Sequence, residues 1–164
     1  MNKQLFVIAL GFFASTSIII SCSDKETVIS SNTSSCNSFE DRLIMKYVDS
    51  LNLNPTITEE CIYYIKTIES NSDIYPDTNS TVKIHYRVYS LNGDVHDDSY
   101  SRGEPSTFPL AEIIKGMKLG IIEMQLGESS TFIIPSKYGH GEEGLGSIPP
   151  NEILVIDVDL LEII

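Results

Sequence analysis

The chain has 164 residues, of which 23 are acidic and 11 are Lys or Arg, so its formal net charge is −12. So acidic a protein repels phosphate backbones, and we therefore expect no nucleic acid among its partners. Solubility is the simpler explanation of the acidity.

The first 22 residues indicate export and lipid attachment. Lys3 precedes an uncharged apolar run over residues 5–20, which is shorter than the ~20 residues of a membrane span but typical of a signal peptide. The following Ile-Ile-Ser-Cys sequence resembles a bacterial lipobox. It predicts a signal peptide over residues 1–21 and lipidation of Cys22, which would anchor the protein to the cell envelope. The alternative is an ordinary secretory signal with an incidental cysteine.

Residues 22–38 are rich in Ser, Thr and Asn and predict a flexible tether. Ser23 after Cys22 favours the outer membrane, facing the periplasm or the cell surface. With Cys22 lipidated, Cys36 and Cys61 are the remaining thiols in an oxidising compartment. A disulfide between them is possible, but the sequence does not give the Cα separation that a disulfide needs, so the pairing stays open.

Residues 39–60 predict a short helical extension, with the helix over residues 39–51. Asn37 and Glu40 have the spacing of a capping box. Thirteen residues are marginal as an isolated helix, which favours packing on the rest of the chain over pairing with a second copy. The apolar stripe that we expect to be buried consists of Phe39, Leu43, Ile44, Tyr47, Val48 and Leu51.

Over residues 61–164 the apolar period changes to two, which is typical of strands. Asn92-Gly93 predicts a hairpin, and residues 111–119 are the one internal helix candidate, ending at Gly120. The pattern predicts an α+β domain in which an antiparallel sheet wraps around one short helix. One face of the last strand should pack on that helix near Ile114 and Met117; it is formed by Leu154, Ile156, Val158 and Leu160.

Several common site types are excluded by their context. Residues 139–144 match G-x-G-x-x-G, but Pro149 and Pro150 prevent the helix that a dinucleotide site requires. The three histidines have no metal-ligand spacing, and no nucleophile signature occurs. We therefore expect no cofactor and no metal.

Three segments, residues 82–86, 113–117 and 139–161, together resemble the FKBP-type peptidyl-prolyl cis-trans isomerases. The similarity covers roughly residues 61–164 and implies an FKBP-like fold. It also implies isomerisation of Xaa-Pro bonds by a shaped apolar cup, with proline-containing unfolded or folding polypeptides of the envelope as substrates.

The same resemblance implies roles for individual residues. Tyr86 matches a tyrosine of the pocket wall, and Asp97 matches the aspartate of a Phe-Asp-Ser-Ser motif. The Ile114 N–H corresponds to a donor to a ligand carbonyl. Tyr138, before Gly139, is similar to a tyrosine whose hydroxyl binds a substrate carbonyl. Further substrate-binding positions are His96, Ile113, Met117, Ile148 and Ile156.

Four positions depart from the family pattern. His96 and Ile156 stand where phenylalanine is common, Met117 where tryptophan is common, and Ser106 where the family has an aromatic residue. The loss of these rigid aromatic side chains predicts a wider pocket that admits more water. They motivate two alternatives to an efficient enzyme: a catalytically weak chaperone or binding module, and a structural lipoprotein of an envelope assembly.

Overall fold

The computed structural model describes residues 36–164. The predicted signal peptide, Cys22 and most of the predicted tether lie outside them. Across the described residues, no helix combines the length and apolar character that crossing a membrane requires. The helices are α1 (Phe39–Ser50), α2 (Ser99–Arg102) and α3 (Lys115–Ile121), and the strands are β1 (Thr56–Ile57), β2 (Tyr63–Ile68), β3 (Thr81–Ser90), β4 (Val95–Asp98), β5 (Ser106–Pro109), β6 (Ser129–Ile134) and β7 (Leu154–Ile163).

The strands form one sheet in the order β1-β2-β6-β7-β3-β4, with β5 paired to β3. Every pairing is antiparallel. The predicted α+β architecture is confirmed, with two helices besides the central α3. The Asn92-Gly93 hairpin is also present: Gly93 has φ +93° and donates its N–H to the Ser90 carbonyl at 2.9 Å.

The concave face of the sheet carries the main core. Val88, Ile156, Phe132 and Tyr64 lie opposite one another on β3, β7, β6 and β2, so their side chains form one row on this face. Met117 and Ile121 of α3 pack against it. The predicted apolar face of the last strand is confirmed, since its four residues are almost fully buried there.

Helix α3 begins four residues later than the sequence predicts and passes through Gly120 instead of ending there. The glycines allow close packing. A Cβ at Gly120 would lie 2.8 Å from the Phe132 ring, and one at Gly116 would lie 2.3 Å from the Ile134 side chain. The residues before Lys115 form turns, which leaves Ile114 as the N-cap in an extended conformation.

The opposite, convex face is covered by α1. Ile44 and Val48 pack on Tyr63, Ile133 and Val155, which confirms that the helix packs on its own chain. The predicted stripe was wrong in part, because Phe39, Leu43 and Leu51 are 67%, 38% and 52% exposed. A spacing of four drifts around a helix of 3.6 residues per turn, so only part of the stripe faces the sheet.

The start of α1 differs from the prediction by one residue. Ser38, not Asn37, is the N-cap: its Oγ accepts from the Asp41 N–H at 3.1 Å, and Asp41 Oδ2 accepts from the Ser38 N–H at 2.7 Å. Cys36 and Cys61 form a disulfide with a Cα–Cα distance of 5.6 Å. Residues 36–38, the last part of the predicted tether, are therefore fixed to the sheet.

One acidic side chain, Glu128, is fully buried at the edge of β6. It accepts hydrogen bonds from the Tyr64 hydroxyl and from Ser130 Oγ, the latter at 2.6 Å, and Lys66 Nζ lies 3.1 Å away. Burial opposes ionisation, but these bonds outweigh it and lower the pKa of Glu128. The carboxylate is thus a structural ion that joins β2 to β6.

Candidate active site

A cleft of about 440 Å³ opens between α3, the concave face of the sheet and the loop before β7. A volume of this size suits a small peptide segment or ligand. The lining is mainly apolar and consists of Tyr86, Val88, His96, Asp97, Phe108, Glu112, Ile113, Ile114, Met117, His140, Leu145, Gly146, Ser147, Ile148, Leu154 and Ile156.

The structure brings most of the predicted site residues together in this cleft. Eight of the nine lie in its lining: Tyr86, His96, Asp97, Ile113, Ile114, Met117, Ile148 and Ile156. They come from β3, β4, α3 and its preceding turn, the loop before β7, and β7 itself. Pieces far apart in sequence thus converge because β3 and β7 are neighbours and Met117 of α3 belongs to the same buried cluster.

Tyr138 is the exception, and its role in the site stays a prediction. It lies in the 3₁₀ turn Ser136–Tyr138 and is absent from the lining of the cleft. The ammonium groups of Lys115 and Lys137 approach its ring at 4.9 and 4.8 Å from the centroid. The Tyr138 side chain also packs against the same buried cluster as Ile114 and Ile148, so it lies beside the cleft.

A histidine after Tyr138, His140, was given no role by the sequence reasoning. It lies two residues further along and lines the cleft. It is also the one side chain between Gly139 and Gly141, and that isolation was the signal in the sequence.

Tyr86 and Asp97 form the polar end of the cleft. The Tyr86 hydroxyl donates to Asp97 Oδ2, and the Arg102 guanidinium contacts both Asp97 and the Tyr86 hydroxyl, the latter at 3.0 Å. Burial, followed by the bond to Asp97, raises the pKa of Tyr86. Burial opposes ionisation of Asp97, but the bonds from Tyr86 and Arg102 lower its pKa overall.

This arrangement defines what each group can do. Asp97 is ionised and its oxygens are occupied by Tyr86, Arg102 and the Asp98 N–H. It orients the tyrosine rather than presenting a free base. Arg102, which the sequence reasoning missed, is placed there because Asp98 caps the short helix α2 that ends at Arg102.

The floor and wall of the cleft are apolar. Met117 and Ile156 are almost fully buried in the core, and Phe108 meets the Tyr86 ring edge-on at a centroid distance of 5.5 Å. His96 is held by Ser90, whose Oγ lies 2.7 Å from Nε2. Within residues 36–164, Tyr86 and Phe108 are the only Phe, Tyr or Trp rings in the lining.

The Ile114 backbone supplies a directed donor. Ile114 precedes α3, and its carbonyl accepts from Lys118 N–H at 3.1 Å. Its own N–H donates to no acceptor among the described residues. Since buried or half-buried N–H groups normally find a partner, this amide is available to a bound carbonyl.

The comparisons agree with this site and fold. The profile of the family "FKBP-type peptidyl-prolyl cis-trans isomerase" matches residues 72–161, which contain every residue of the cleft lining. The chain belongs to this family. Its fold is FKBP-like, since the crystal structure of FkpA from Escherichia coli superposes with a TM-score of 0.68 at 27% identity, covering 75% of this chain and 58% of that one.

Curated relatives are similar over the same region. The FKBP-type peptidyl-prolyl cis-trans isomerase FkpA of Aeromonas hydrophila is 46% identical over 88 residues, which is 54% of this chain and 33% of the relative. FK506-binding protein 1 of Yarrowia lipolytica is 44% identical over 92 residues, 54% of this chain and 85% of that protein. The chain therefore spans about a third of the Aeromonas protein and most of the yeast one.

Proposed function

We propose that this protein is a peptidyl-prolyl cis-trans isomerase that acts on Xaa-Pro bonds of envelope proteins and assists their folding. The observation that carries the proposal is the apolar cleft. It combines a rigid aromatic wall, a hydroxyl held by an ionised carboxylate and an unengaged backbone N–H, in a chain of the isomerase family.

The chemistry needs no nucleophile. Rotation about an amide bond crosses a barrier of about 18–20 kcal/mol because resonance is lost in the twisted state. Water favours the polar planar amide, so an apolar cleft that removes water lowers the cost of twisting. Each 1.36 kcal/mol of preferential stabilisation of the twisted state raises the rate about tenfold.

The roles follow from the positions in the cleft. Met117, Ile148 and Ile156 surround the prolyl ring, and Ile113 and His96 border it. The Ile114 N–H holds the carbonyl next to the rotating bond. Tyr86, oriented by Asp97, contacts the substrate at the polar end. The Tyr138 hydroxyl, beside the cleft, donates to a substrate carbonyl, and His140 is a polar side chain of the loop that lines the cleft.

An isomerisation assay on a Xaa-Pro tetrapeptide tests the proposal, read by protease coupling or by NMR exchange. We expect wild-type protein to accelerate exchange and Asp97→Ala to lower kcat/KM about tenfold, because an oriented hydroxyl loses its partner. Tyr138→Phe should also lower kcat/KM, whereas Tyr75→Phe, at an exposed tyrosine outside the cleft lining, is the matched control and should leave it unchanged. Exchange at the uncatalysed rate with wild-type protein would refute the isomerase.

A second candidate is a binding module or chaperone with little turnover. The specific observation in its favour is the lining, where Met117 and Ile156 supply flexible aliphatic surface and, among the described residues, Phe, Tyr and Trp contribute two rings. Suppression of aggregation of an unfolded client, measured beside the exchange assay, separates the two. Aggregation suppression with background exchange would identify the chaperone.

We also propose that the mature protein is a lipoprotein anchored through Cys22, in the outer membrane. The lipobox-like sequence before Cys22 supports this, and so does the disulfide, which suits an oxidising compartment. Metabolic labelling with a clickable fatty acid should mark wild-type protein and not Cys22→Ser. Equal labelling of both would exclude this anchor.

A further inference from the structure

We infer that the N-terminal helix positions one rim of the cleft, with Glu40 as a positioning residue for the loop that carries His140. The role of that loop in substrate binding rests on the proposed function. The contact itself joins residues 36–50, which precede the family match at residues 72–161, to a segment inside it.

Both carboxylate oxygens of Glu40 accept hydrogen bonds from Ser136. Its Oε2 accepts from the Ser136 backbone N–H at 2.8 Å, and its Oε1 accepts from the Ser136 hydroxyl at 2.6 Å. Ser136 is 5% exposed and Glu40 is half-buried. Hydrogen bonds to an ionised acceptor that are shielded from water are stronger than neutral ones, so this contact fixes Ser136 relative to α1.

Ser136 in turn fixes the two glycines on either side of His140. Its carbonyl accepts from the N–H groups of Gly139 and Gly141, each at 2.9 Å. On the far side, the Gly141 carbonyl accepts from the Asn151 N–H at 2.8 Å. The backbone on both sides of His140 is therefore bonded to Ser136, and Glu40 holds Ser136 from outside the loop.

Glu40 can make this contact because neighbouring residues cap the N-terminus of α1. Asp41 completes the capping box with Ser38, which leaves the Glu40 carboxylate free of capping. The Cys36–Cys61 disulfide holds the same end of α1 on the sheet. The helix is thus a fixed support, and a displacement at Glu40 passes directly to Ser136.

The test compares Glu40→Ala, Glu40→Gln and Ser136→Ala in the disulfide-intact protein. Glutamine keeps the contact, since its oxygen can accept from the Ser136 N–H and its amide can donate to the hydroxyl, so it should rescue. Alanine frees the loop. We expect Glu40→Ala to lower kcat/KM for a Xaa-Pro tetrapeptide about tenfold, chiefly through KM, because misplacement by about 1 Å can cost up to a hundredfold.

The backbone amide NMR signals of Gly139, His140 and Gly141 provide a readout that needs no turnover. We expect them to shift in Glu40→Ala and in Ser136→Ala, and the double variant to show no further change. Asp49→Ala, which removes an exposed carboxylate from the same helix, is the matched control and should match wild type.

Two results would overturn the inference. One is a Glu40→Ala protein that is less stable yet keeps wild-type KM and wild-type amide signals, which would make the contact purely structural. The other is Glu40→Gln behaving like Glu40→Ala. A wild-type protein without isomerase activity would refute the proposed function instead, and the inference would then be decided by the amide signals and by the Kd of the tetrapeptide.

Discussion

Both faces of the sheet carry buried apolar residues on β7, but the two faces end in different states. On the concave face, α3 is only seven residues long and leaves a cleft beside Ile156. On the convex face, α1 seals Val155 and Ile133 completely. Where both faces are apolar, the length and placement of the covering helix decide whether the residues line a binding site or a closed core.

The largest expected effect is on the sealed face. Ile44→Ala should lower the free energy of unfolding by about 2–5 kcal/mol, since Ile44 is fully buried and its loss leaves a cavity. Leu43→Ala, one residue away and 38% exposed, should cost less than about 1 kcal/mol. Urea denaturation measures both. Equal losses would show that α1 packs through a different face.

Removing the disulfide tests how strongly it holds α1 against the convex face of the sheet. Replacing Cys36 and Cys61 by serine opens a crosslink with a sequence separation of 25 residues, and the chain-entropy estimate is roughly 3–4 kcal/mol of stability. Thermal or urea unfolding with and without reductant checks this in the wild-type protein. Reductant should leave the double-serine variant unaffected, and the prediction fails if reduced and oxidised wild type unfold together.

On the open face, the close approach of α3 can be broken without touching the cleft lining. Gly120→Ala places a methyl group 2.8 Å from the Phe132 ring and should cost about 1–3 kcal/mol through overpacking. Gly103→Ala is a useful contrast, because there the added Cβ meets no atom within 4 Å and only the positive φ is unfavourable. Stability of Gly120→Ala equal to wild type would mean that α3 moves away from β6 freely.

The smallest expected effect is on the stability of the protein at low pH, through Glu128 at the start of β6. The folded-state pKa of Glu128 lies below its ordinary value of 4.5, so the unfolded chain takes up the proton first as the pH falls. The contribution of ionised Glu128 to the free energy of unfolding is therefore complete above pH 4.5, and it is lost as the pH falls through the lowered pKa. Glu128→Gln should flatten this part of the pH–stability curve, and an unchanged slope would argue against the ionised group.

The strands were predictable because alternation is a strong local signal. The last strand, for example, shows its buried face directly as Leu154, Ile156, Val158 and Leu160. The convergence of Tyr86, Ile114 and Ile156 was predictable only through the resemblance to a family, since no local pattern says that β3 and β7 are neighbours.

The features that were mispredicted depend on tertiary contacts. Gly120 reads as a helix end in sequence, yet close packing on Phe132 keeps it inside α3. Ser38 rather than Asn37 caps α1 because Asp41 also reaches the Tyr63 hydroxyl at 3.3 Å.

The pairing of β2 with β6 has a practical consequence. Strand β2, residues 63–68, precedes the region matched by the family profile, which starts at residue 72. A fragment trimmed to that region would leave β6 with a bare edge, and unpaired edges recruit strands from other molecules. Such a fragment should self-associate and precipitate, whereas a protein that begins before Cys36 and so includes β2 should stay in solution.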